Sequence, residues 1–106
     1  TLASHHGFYH DAETDELKQS PGARYFCSDC GSPLWAADPR WPRWIYPFAS
    51  AIKTALPIPP EIFHIMLDFK PLWVEVPGGE GHVHFGRYPD ESIEAWHKRH
   101  DLYDKL

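Results

Sequence analysis

Cys27 and Cys30 are the only cysteines in this chain of 106 residues, and they stand three positions apart. Two thiolates at that spacing can reach one Zn²⁺ at about 2.3 Å each, provided the chain bends sharply between them. Gly31 follows directly and can take the positive φ that such a bend needs. Arg24, Tyr25 and Phe26 lead in as a strand; Pro33 starts a second one through Leu34, Trp35, Ala36 and Ala37. The unit reads strand, metal knuckle, strand. Two other chemistries fit a C-x-x-C pair: a redox dithiol, or two small thiols with no ligand. A redox pair favours a helix N-terminus, and Gly31, Ser32 and Pro33 do not open a helix. A closed structural zinc takes four donors, and the chain has no further cysteine to offer.

Imidazole is the next donor to consider. Of the eight histidines, His5, His6 and His10 lie near the start and could complete a site at Cys27 and Cys30 if that segment folds back. His82 and His84 alternate along a strand, so they share a face and could reach one ion. His64 stands in an apolar run, Ile62 to Met66, where burial requires a hydrogen-bond partner. It is a core histidine with such a partner, or a substrate-facing, proton-handling group. His97 and His100 belong to a helix surface. Trp35, Trp41, Trp44, Tyr46 and Phe48 form either core or the lining of a groove. No Ser-His-Asp spacing is present, and Asp68 and Glu75 do not form a catalytic carboxylate pair.

These residues must be held by short elements. Proline makes up 11 of 106 residues, about twice the usual ~5%, which breaks long helices and favours short strands with rigid turns. The length predicts a single domain with a ring-rich core. Residues 1–22 read as polar and irregular, with an acidic patch at Asp11, Glu13, Asp15 and Glu16. Strands are expected at 23–26, 34–37, an edge at 44–48 because of Pro47, and 61–67. Leu72, Val74 and Val76 alternate, and five turn residues then lead into His82–Phe85, which predicts a hairpin. One helix is expected over 90–103, capped by Asp90, with a Glu94–Lys98 pair and with Ile93, Trp96, His100 and Tyr103 on one face packed against a sheet.

The formal charge is −5, with no basic stripe, which argues against nucleic acid or an acidic membrane as partner. No apolar run approaches the ~20 residues of a membrane span. Two cysteines at knuckle spacing fit a reducing compartment such as the cytoplasm better than a disulfide scaffold. Self-association cannot be read from the sequence.

The run from Arg24 through Cys27, Cys30, Gly31 and Pro33 to Leu34 resembles the second zinc-binding segment of the glutathione-dependent formaldehyde-activating enzyme family, which includes centromere protein V. A second block, His64-Ile65 followed by Lys70, Pro71, Leu72 and Trp73, is similar to that family's later His-Ile…Lys-x-x-Trp block. The resemblance implies a mainly β fold of several small coiled antiparallel sheets, tent-like and supported by Zn²⁺, with one C-terminal helix. It implies carbon–sulfur lyase chemistry, the reversible joining of formaldehyde and glutathione as S-hydroxymethylglutathione, with His64 and Trp73 as substrate-facing candidates. The family's earlier C-x-C and its catalytic C-x-C-x-x-C are absent here. Ala51-Ile52-Lys53 also departs from the family, which tends to carry an Asp after the apolar residue. Cys27 and Cys30 therefore correspond to half of a structural zinc site, and residues 1–106 to an incomplete domain of the family or to a divergent member that has lost the chemistry. The rival expectations are a non-catalytic zinc-stabilised binding module and a small thiol oxidoreductase.

Overall fold

The computed structural model describes residues 1–104. The chain forms two compact units, Thr1–Leu56 and the residues from Pro57 onward.

The first unit is a four-stranded antiparallel meander. Strands β1 (Leu2–His10), β2 (Leu17–Cys27), β3 (Pro33–Ala37) and β4 (Ile45–Pro47) lie in chain order. The start of the chain is thus a long hairpin and not an irregular lead. Its acidic patch is the hairpin loop: Asp11 Oδ1 accepts the amides of Glu13 and Thr14, and Lys18 Nζ donates to Oδ2 at 3.0 Å. That carboxylate holds the turn by the same side-chain-to-backbone bonding that favours Asp in loops. Register runs from Leu2 opposite Cys27 to His10 opposite Leu17, with a bulge between His6 and Phe8. Across β2 and β3, Tyr25 faces Trp35, and their rings stack at 5.3 Å and 19°. β4 is an edge strand, as Pro47 predicts, and pairs Pro47 with Trp35.

The second unit holds β5 (Ile62–His64), β6 (His82–His84) and one helix, α1 (Ile93–Arg99). β5 and β6 pair in parallel, with His64 opposite His84. The predicted hairpin of 72–76 with 82–85 does not form. The Val74 amide instead bonds back to the Pro71 carbonyl at 3.1 Å, closing a turn through Leu72 and Trp73. Prolines at 71 and 77 bracket the segment, and the long connection from β5 to β6 suffices for a parallel crossover. Beyond β5 the contact continues irregularly: Met66, Leu67 and Asp68 donate to the carbonyls of Arg87, Phe85 and Gly86. A Cβ at residue 86 would lie 2.5 Å from Asp68 Oδ1, so a larger residue there would displace the Asp68 carboxylate.

α1 is shorter than the expected 90–103, and Ser92 caps it instead of Asp90. Ser92 Oγ accepts the Ala95 amide at 3.0 Å. At the other end Asp101 takes φ 56°, and the Leu102 amide bonds to the His97 carbonyl, which closes the helix in a left-handed cap. The expected Glu94–Lys98 pair is present at 2.9 Å.

The rings do not form the expected core. No hydrophobic side chain among the described residues is fully buried. Among the described residues, no helix is long and apolar enough to cross a membrane.

Candidate functional site

The knuckle forms at the end of β2. The Gly31 amide donates to the Cys27 carbonyl at 2.7 Å and the Cys27 amide to the Ser32 carbonyl at 3.0 Å. Gly31 takes φ +78°, so the bend uses the left-handed region that a side chain resists. Both cysteines are free, Cys27 half-buried and Cys30 exposed. Cys30 Sγ lies 3.2 Å from the Ser32 hydroxyl. Hydrogen bonds from Ser32, and after them one from the Cys27 thiol, pull the Cys30 thiol below its ordinary pKa. Cys30 is thereby biased toward thiolate, the form that binds metal. The start of β1 is pinned alongside: the Ser28 amide and hydroxyl both donate to the Thr1 carbonyl, at 2.8 and 3.0 Å.

The histidines of β1 serve the hairpin. His6 Nδ1 donates to the carbonyls of Ser20 and Gly22, both at 3.0 Å, and His10 Nδ1 to that of Asp15 at 3.1 Å. The His5 ring packs on Phe26 at 5.5 Å. Leu2 is opposite Cys27, so at about 3.4 Å per residue these imidazoles start roughly 10 Å along the strand from the knuckle and run farther away. No set of three or more His, Cys, Asp or Glu side chains among the described residues is placed to hold a metal ion.

A second constellation stands in the other unit. His64, His82 and His84 come together on one face of the β5–β6 pair. His64 Nε2 and His82 Nδ1 are 3.0 Å apart and share a proton. Their rings stack at 5.3 Å and 21°, while the His84 ring meets His64 edge-on at 5.3 Å and 85°. His84 Nε2 donates to the Pro77 carbonyl at 2.6 Å. Burial, and then repulsion from His82 and His84, hold the His64 pKa below its ordinary value. A neutral, hydrogen-bonded imidazole pair can accept a proton at one ring and pass it through the other.

Period-2 alternation places His82 and His84 on one face, and the partner that His64 requires is His82 itself. What sequence reasoning missed is the grouping of all three, since only parallel pairing of segments eighteen residues apart brings them together. Trp73 lies in the intervening turn with its side chain open to solvent, 81% exposed. In the first unit Trp41 and Trp44 stay 49% and 44% exposed, with the Arg40 guanidinium over the Trp41 ring, so these two rings are not core.

No family model and no solved structure matches the chain. A protein of Halomonas elongata described as a putative glutathione-dependent formaldehyde-activating enzyme is 53% identical over 102 residues, covering 93% of this chain and 64% of the relative. The chain thus spans just under two thirds of that relative's length. This identity, with the residues around Cys27, Cys30 and His64, supports the resemblance of the chain to the glutathione-dependent formaldehyde-activating enzyme family.

Proposed function

We propose that this protein acts in the reversible joining of formaldehyde and glutathione as S-hydroxymethylglutathione, a carbon–sulfur lyase reaction. The observation that carries this reading is the 53% identity to a relative bearing that description. The reaction itself is an addition. A bond forms between the glutathione sulfur and the formaldehyde carbon, the carbonyl π pair moves to oxygen, and the thiol proton ends on that oxygen. Nothing is oxidised. The demand on the protein is to orient the two reactants and to move one proton.

Zinc is part of the proposal. Cys27 and Cys30 would hold one ion as two of its four ligands, with the remaining donors supplied from outside the described residues. The glycine-dependent turn between the two cysteines and strand β3, and the lowered Cys30 pKa, fit that role. When bound, the ion supplies a fixed cross-link at the end of β2 and keeps both sulfurs as thiolates. This assignment is structural, and residues 1–106 read as an incomplete family domain. His64 is the proton-handling candidate, and Trp73 the exposed surface for substrate. Free cysteines suit the cytoplasm as the place of action.

One observation favours a second reading, a non-catalytic zinc-stabilised binding module. Leu72, Trp73 and Phe69 are 98%, 81% and 63% exposed, an apolar surface suited to a partner.

The two readings separate in one experiment. Exchange between ¹³C-formaldehyde, glutathione and their adduct is followed by NMR with zinc-loaded protein. The lyase reading expects exchange faster than in buffer; an unchanged rate, in this chain and in a longer form like the relative, refutes it. Cys30→Ser should lower both bound zinc and melting temperature, and unchanged values for both would remove the structural zinc.

A further inference from the structure

β5 has two faces. His64 points to one; Phe63 and Ile65 point to the other, where they line a cavity of about 680 Å³. That volume lies within the range of small-molecule sites, ~300–1,000 Å³. Ile93 and Trp96 of α1 complete an apolar lining, and the carboxylates of Glu61 and Glu91 stand at its wall. The cavity therefore lies on the opposite side of β5 from the imidazole cluster. The expected apolar face of α1 lines this space, and Ile93 remains 61% exposed.

The electrostatics of the wall are specific. Glu91 receives Arg99 in a two-point fork, Nε to Oε2 at 2.9 Å and Nη2 to Oε1 at 2.6 Å. Glu61 receives Arg99 Nη2 at 2.5 Å and His100 Nε2 at 3.2 Å, and both of these bonds fall on Oε1. Glu61 Oε2 is left without a hydrogen bond among the described residues. Hydrogen bonding to Arg99, first in importance for both acids, holds their pKa values below the ordinary range, so both are ionised at neutral pH. One guanidinium thus serves two carboxylates, and it does not itself line the cavity. The surrounding chain adds to the imbalance, with five basic against nine acidic side chains from residue 57 onward.

We propose that this cavity binds a small organic cation, an ammonium group carried on an alkyl or aryl body. The ammonium donates to Glu61 Oε2, and the body lies on Phe63, Ile65, Ile93 and the face of Trp96, which also attracts the charge. A ligand of the same shape with a carboxylate in place of the ammonium meets two carboxylates offset by one guanidinium and is disfavoured. Glutathione, with its two carboxylates, is a poor occupant. The inference is independent of the lyase reading and of the zinc.

The test is calorimetric titration of the whole chain with three six-carbon probes: hexylammonium, hexan-1-ol and hexanoate. Hexylammonium should bind about tenfold more tightly than the alcohol, and hexanoate not measurably. Glu61→Gln should lower hexylammonium affinity to that of the alcohol while leaving the alcohol unchanged. Ile65→Trp, which fills the cavity and keeps Glu61, should abolish binding; circular dichroism checks that each variant is folded. Equal affinity for hexylammonium and hexanol, tighter binding of hexanoate, no heat from any probe, or full affinity in folded Ile65→Trp would each overturn the proposal.

Discussion

Replacing Gly31 by alanine isolates the physical demand of the knuckle. Gly31 holds φ +78°, and a Cβ built there meets no atom within 4 Å. Steric clash with neighbours therefore contributes nothing, and the whole effect comes from forcing an L side chain into the left-handed region, about 1–2 kcal/mol. The turn carries the Gly31-to-Cys27 bond at 2.7 Å and is the bend on which both cysteines sit. If the turn is formed before metal arrives, the loss is in folding stability. If it forms on metal binding, the loss is in zinc affinity, by roughly 5- to 30-fold. Urea denaturation without metal, together with zinc competition against a chromophoric chelator, measures both. Gly31→Asn is the control, because Asn visits the left-handed region more readily than other non-glycine residues. Its loss should be clearly the smaller. Gly31→Ala losses below about 0.5 kcal/mol in both assays, or equal losses for Ala and Asn, would refute the account, since strain of φ alone requires the order Gly, Asn, Ala.

Three further outcomes are expected. Ser92→Ala removes the acceptor for the Ala95 amide and should cost about 1 kcal/mol, read as faster amide exchange in α1; unchanged exchange would place the cap elsewhere. Asp101→Gly relieves a left-handed residue at φ 56° and should raise stability by roughly 0.5–1 kcal/mol, seen as a higher denaturation midpoint. The His64 pKa is lowered in the fold, so the unfolded chain binds more protons in the window between the folded value and 6.5. Stability then rises with pH through that window and falls on acidification. Midpoints taken between pH 5 and 7.5 should show this slope and lose part of it in His64→Asn, whereas a slope of opposite sign would contradict the cluster.

The features legible without coordinates are those set by near neighbours in the chain. The Cys27–Gly31 bend, the strand entering it, the edge position of Pro47 and the Glu94–Lys98 pair each depend on a few adjacent residues and on local backbone preference. Residues 1–22 defeated that reasoning. The strand character of β1 does not show in its own alternation, because it arises from pairing with β2, and the acidic patch that looks like disorder is the turn between them. The hairpin expected at 72–85 failed for a related reason. Alternation indicates which side chains share a face but not which backbone they will bond, and β6 found β5.

The sequence alone carried the family resemblance, through residues contiguous around Cys27 and His64, and the chemistry those side chains can carry. Only the tertiary structure decided that His64, His82 and His84 share one face and that Glu61, Glu91 and Arg99 meet beside an apolar cavity. Hydrogen bonds and ion pairs act over about 3 Å, whereas His64 lies 18 residues from His82 and Glu61 lies 38 from Arg99 along the chain. Their meeting depends on how strands and helix pair and pack, which no local pattern encodes.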